Sequence, residues 1–167
     1  MTNSSRQCMP CDACCQGWLS AEVLGNVLRA GQGCPHSSKS GCAVYEDRPE
    51  VPCRTFICSW LVKDSPLPEW MRPDASGVIV LLSMKWNEQT VISAVPVGAS
   101  IPEKSLDWLK SYAEQHRRPL VFYQRSRDAN GRFNGLKRFG YGPPEFRDKV
   151  SKLMAKGEAA SIPMKSV

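Results

Sequence analysis

Residues 8–15 read Cys8-Met9-Pro10-Cys11-Asp12-Ala13-Cys14-Cys15. Four thiols in eight residues set the character of this end of the chain. Four more follow at Cys34, Cys42, Cys53 and Cys58, and the rest of the 167 residues carry none. A CxxC pair lets two thiolates approach one metal from a single tight turn. Three thiols in CxxCxxC match the first three ligands of a ferredoxin-type run, whose fourth cysteine precedes proline. Cys34-Pro35 supplies such a pair, at a longer spacing than in ferredoxins. The adjacent Cys14 and Cys15 point in divergent directions and more naturally serve two metals than one. All eight cysteines are candidate ligands. They divide into two four-thiolate zinc sites, one shared dinuclear site, or one iron–sulfur cluster with spare thiols. A four-thiolate set suits zinc and iron alike.

Eight is also an even number, and disulfide stapling is the competing explanation. Residues Met1 to Gln7 are polar and form no apolar leader, so the expected compartment is the cytoplasm, where thiols stay reduced. No apolar run approaches the ~20 residues of a spanning helix, so no membrane role is expected. His36 follows Cys34-Pro35 and could replace one thiolate. His116, the other histidine, closes a predicted helix where a positive side chain suits the dipole.

Working outward, Gly17 to Leu28 is short and apolar, and the favoured reading is a hairpin turned at Gly25-Asn26. Arg48-Pro49-Glu50-Val51-Pro52 is a proline-held loop, and Arg54 to Val62 is read as a short helix. Val78 to Met84 and Thr90 to Val97 read as strands joined by the polar link 85–89. Pro102 to His116 is an amphipathic helix with Leu106, Leu109, Tyr112 and Ala113 on one face. Leu120 to Tyr123 and Gly135 to Gly142 are further strands, and Pro143-Pro144 opens a last helix through about Lys156. The fold class expected is α+β: an irregular cysteine-rich metal-binding lobe packed on a small antiparallel sheet with two helices. The expected division is 1–66 for the lobe, 67–157 for the α+β region and 158–167 for a flexible tail, with the first two sharing one core.

Composition is that of an ordinary globular chain, with 42% apolar and 23% charged residues. The net charge of +6 is uneven: residues 1–67 carry six basic and six acidic side chains, so the whole excess lies beyond them. An acidic partner or nucleic acid is one implication. Arg125, Arg127, Arg132, Lys137 and Arg138 interleave with Phe122, Tyr123, Phe133, Phe139 and Tyr141, the makings of a stacking and phosphate-contacting surface. No protein partner is indicated.

Several punctuated motifs occur in order: the CxxCxxCC run, Cys34-Pro35, Gly41-Cys42-Ala43-Val44-Tyr45-Glu46-Asp47-Arg48-Pro49, and Cys53-Arg54-x-Phe56-x-Cys58. Together they resemble the CxxCxxCC cysteine-cluster family, whose YkgJ-like bacterial members are described as zinc- or iron-chelating. The resemblance covers about a third of the chain. It implies metal binding on Cys8, Cys11, Cys14, Cys15, Cys34, Cys42, Cys53 and Cys58, and no established reaction. The cluster also occurs in flagellin lysine methylases, where it resembles an iron–sulfur segment, so an iron–sulfur redox or sensor protein is the alternative. A metal-stabilised nucleic-acid-binding module is the second alternative. No zincin motif, catalytic triad or radical-enzyme CxxxCxxC is present, and no catalytic residue is expected. Arg48 is expected to pair with Glu46 or Asp47, or to donate to thiolate sulfur and damp the charge of the cluster; Arg54 is a further candidate for that role.

Overall fold

The computed structural model describes residues 6–86 and 88–156. The expected tail, 158–167, lies outside them, as does Asn87 in the 85–89 link.

The chain is α+β. Its first part is built of turns and two very short hairpins. Strands β1 (Ala21–Val23) and β2 (Asn26–Leu28) pair antiparallel, with Ala21 opposite Leu28. Leu24 and Gly25 both take positive φ, the geometry of a tight two-residue hairpin turn. The turn thus sits one residue earlier than Gly25-Asn26. Strands β3 (Ser37–Ser38) and β4 (Gly41–Cys42) form the second hairpin. The helix expected over Arg54 to Val62 is absent. A single wide turn over Glu50–Arg54 takes its place, and the chain then runs irregularly to Pro68, where a short 3-10 helix, Glu69–Met71, begins. The local bonds of the irregular run are those of isolated turns, Leu61 N–H to Cys58 O and Ser65 N–H to Val62 O, not the i→i+4 ladder of an α-helix.

A one-turn helix, α1 (Pro73–Ser76), leads into the main sheet. Its strands are β5 (Val78–Trp86), β6 (Gln89–Pro96), β7 (Leu120–Arg127) and β8 (Phe133–Tyr141), in spatial order β5-β6-β7-β8. The antiparallel expectation holds for β5/β6 and β7/β8. Strands β6 and β7 are parallel, because the helix α2 (Glu103–Gln115) carries the chain back between them. Helix α3 (Pro144–Ala155) closes the fold.

Val78 to Leu82 and Val91 to Pro96 are buried throughout, with no inside–outside alternation. Both faces of the sheet are therefore covered. One face carries Val80, Ile92, Ala94 and Leu120 against Leu109 and Ala113 of α2, with Trp60, Leu67 and Met71 from the irregular segment. The helix face read from the sequence is the one that packs, with Leu106 and Tyr112 at its margin. The other face carries Ile79, Leu81, Val95, Val121 and Tyr123 against Phe146 and Val150 of α3. Ala13, Leu19 and Phe56 of the cysteine-rich lobe enter this second cluster.

The edge strand β5 is irregular between Leu81 and Met84. Ser59 fills the gap: its N–H donates to Val80 O, and its Oγ accepts from Leu82 N–H at 2.7 Å. Arg118 donates to Leu82 O. An edge blunted in this way offers little to another strand. Among the described residues, no helix is long and apolar enough to cross a membrane.

Candidate metal centre

The CxxCxxCC run folds as a turn onto a short 3-10 helix, Ala13–Gln16. Asp12 O accepts from Cys15 N–H at 2.8 Å and from Gln16 N–H at 3.2 Å. Gly17 ends the helix with φ +80°, and a Cβ there would stand 2.1 Å from Arg29 O. Only glycine fits, because both the dihedral and the space exclude a side chain. The Asp12 carboxylate is engaged by Ser37 Oγ and Gln16 Nε2, each at 2.9 Å, and so ties the first turn to β3.

The later cysteines are brought back by backbone contacts. Cys34 N–H donates to Cys15 O at 2.7 Å. Register in the second hairpin sets Cys42 opposite Ser37. Thr55 N–H to Glu50 O and Phe56 N–H to Pro52 O close the turn that carries Cys53. As a result Cys11, Cys14, Cys15, Cys34, Cys42 and Cys53 line one cavity of about 60 Å³. Cys58 packs against both cores, and Cys8 directs its thiol toward Cys11 O. All eight are free thiols.

The thiols feel one another. Burial raises the Cys8 pKa, and charge on Cys15 or Cys58 raises it further. Burial likewise raises Cys53, followed by Cys15 and Cys34. Burial raises Cys58 and Cys11; backbone N–H groups of Ala13 and Asp74 offset part of the rise at Cys11. Asp74 belongs to α1, so the segment after Cys58 returns to the cluster. The Cys14–Cys15 pair behaves differently. The Cys14 thiol donates to Cys15 sulfur, which pushes Cys14 well up and Cys15 down.

Donor chemistry therefore fits a thiophilic metal. The spacing is not that of a closed site: among the described residues no three His, Cys, Asp or Glu side chains are grouped so as to hold a metal ion.

Arg48 lines the same cavity, with its guanidinium 3.7 Å above the Tyr45 ring. Its Nε is buried without an acceptor. Its charge lowers the thiol pKa of Cys8, Cys15 and Cys53 against the larger effect of burial at Cys8 and Cys53. No ion pair joins it to Glu46 or Asp47 among the described residues. Arg54 instead braces the loop, donating to Arg48 O at 2.9 Å and to Glu46 O. His36 is not among the cavity's lining residues.

The five basic residues of the second region do not form one stripe. Register places Arg125 opposite Leu136 and Arg138 opposite Tyr123, on the face toward the lobe and α3. Lys137 lies opposite Gln124, on the other face, near the stacked rings of Phe122 and Phe139. Arg138 sits over the Trp86 and Tyr123 rings. Arg127 covers the Phe133 ring at 4.0 Å, and Arg132 is exposed. Arg125 is only 8% exposed. It donates to Pro96 O and Gly98 O through Nη1 and to Trp18 O through Nη2, joining sheet to lobe. Nothing local in the sequence signals that role, since Trp18 and Arg125 are 107 residues apart. In comparisons with family models, curated proteins and solved structures, the chain matches none.

Proposed function

We propose that the lobe is a thiolate metal-binding site for zinc or iron. The supporting observation is the common cavity: six cysteines drawn from four separate segments face one small space. A buried Arg48 Nε–H without an acceptor lies on the same wall. Thiolate sulfur is the acceptor such a group lacks, and a four-thiolate site carries the negative charge that a guanidinium offsets. The resemblance to the cysteine-cluster family points the same way.

Cys11, Cys14, Cys15, Cys34, Cys42 and Cys53 would hold the metal, with Cys8 and Cys58 beside them. A bound zinc ion would cross-link the loops, whereas an iron–sulfur cluster would add one-electron chemistry. The sulfurs have to move inward to close the site. Binding is therefore coupled to ordering of the lobe and to release of thiol protons.

Cobalt(II) titration of reduced protein under nitrogen tests this. The expected result is saturable thiolate-to-cobalt absorption that zinc abolishes. Cys15→Ser and Cys34→Ser should each weaken it. A spectrum indistinguishable from free cobalt would contradict the reading.

A further inference from the structure

A second cavity, of about 430 Å³, lies between the lobe and the far end of the main sheet. Trp18 and Arg29 line it from the lobe; Arg125, Phe133 and Asn134 line it from the sheet. The volume falls in the range of small-molecule sites, roughly 300–1,000 Å³. It holds none of the cysteines.

Three observations make its chemistry specific. First, its lining contains two arginines and no aspartate or glutamate. Second, Arg125 is nearly buried and, among the described residues, forms no ion pair. Its three acceptors are neutral carbonyls. A buried charge normally has a counter-charge, because desolvating it alone costs several kcal/mol by order of magnitude. Third, the Trp18 and Phe133 rings meet edge to face at 5.3 Å and give the cavity an apolar wall.

We propose that this cavity binds a small organic oxyanion, a phosphate monoester or a carboxylate carried on an apolar body. The oxyanion supplies the counter-charge that Arg125 lacks. Arg29, exposed at the rim, adds a second cation. The aromatic pair takes the apolar body. Burial pulls the Arg125 pKa down to about 10, so the guanidinium stays protonated at neutral pH. No cysteine lines this cavity, so the anion site is independent of the metal centre.

The test is a titration of the ¹⁵N-labelled full chain followed by NMR, with phenyl phosphate, benzoate and phenol as probes. Trp18→Phe assigns the Trp18 indole N–H by its disappearance. A saturable shift of that signal with phenyl phosphate or benzoate, and none with phenol, is expected. Whichever anion acts identifies the oxyanion class. Arg29→Glu and Asn134→Asp each place negative charge on the wall, and each should weaken binding about tenfold or more. Arg125 itself is left intact, because it also joins the lobe to the sheet. Silence with both anions, an equal response to phenol, or unchanged affinity in both folded variants would overturn the proposal.

Discussion

The backbone N–H of Cys34 donates to the carbonyl of Cys15 at 2.7 Å. That bond joins the CxxCxxCC turn to the Cys-Pro segment nineteen residues on and lets two distant thiols share a cavity. It depends on close packing at Gly33, where a Cβ would stand 2.9 Å from Gln16 Cα and 3.0 Å from Cys15 O. Gly33→Ala should therefore cost about 1–3 kcal/mol, as overpacking does. Gly17→Ala should cost more, since it adds a left-handed φ to a backbone clash. Urea unfolding of the reduced proteins checks both. Wild-type midpoints would contradict this packing.

Cys15 should be the first thiol to react. Its pKa is lowered because the Cys14 thiol donates to it, and the thiolate is the nucleophile. Limiting iodoacetamide on metal-free protein, followed by peptide mapping, should find label on Cys15 ahead of Cys14, whose own pKa is pushed well up. Cys14→Ser replaces the donor and should alter the Cys15 rate. Equal labelling of the two would contradict the pairing.

Metal-free protein should lose stability in alkali. Cys8, Cys11, Cys53 and Cys58 are raised by burial above the ordinary thiol value of 9.0, and Cys14 by its bond to Cys15 and by burial. Above that value the folded chain holds more protons than the unfolded one. Stability then falls as pH rises, with Cys15 contributing in the opposite sense. Below it these five thiols are protonated in both states and contribute no slope. Chelated, reduced protein should unfold at lower urea at about pH 10 than at about pH 8. A rise over that window would contradict the burial of these thiols.

Arg125→Met should weaken the joint between lobe and sheet. It keeps the apolar stem but leaves the carbonyls of Pro96, Gly98 and Trp18 without their donor. Stranded buried acceptors cost about 1–3 kcal/mol each and are not additive. A loss of about 3 kcal/mol is expected, read from thermal or urea unfolding. Arg125→Lys should recover little, since one ammonium cannot reproduce the fork. A silent Arg125→Met would show that the joint is held elsewhere.

The strands were legible because Val78 to Leu82 is a continuous apolar run, Val91 to Val95 is apolar but for Ser93, and the link between them is polar. Helix α2 was legible from Leu109 and Ala113 at helical spacing. The parallel step between β6 and β7 was missed, although a helix between two strands is its ordinary signal. Residues 54–62 misled, because an apolar segment that packs irregularly looks like a short helix when only composition is read. The cysteine motifs point to all eight thiols in one site, whereas six line the common cavity and, among the described residues, none group as a metal site; the burial of Arg125 could not be read at all. A basic residue in a strand says nothing of the carbonyls that tertiary contacts bring to it.

The central claim is that the cysteine cavity takes a metal, and metal content tests it most directly. Protein purified without oxygen or chelator should carry zinc or iron, and fewer of its eight thiols should react with a thiol reagent than after chelation. Metal-free protein whose thiols react alike with and without added zinc or iron would contradict the account.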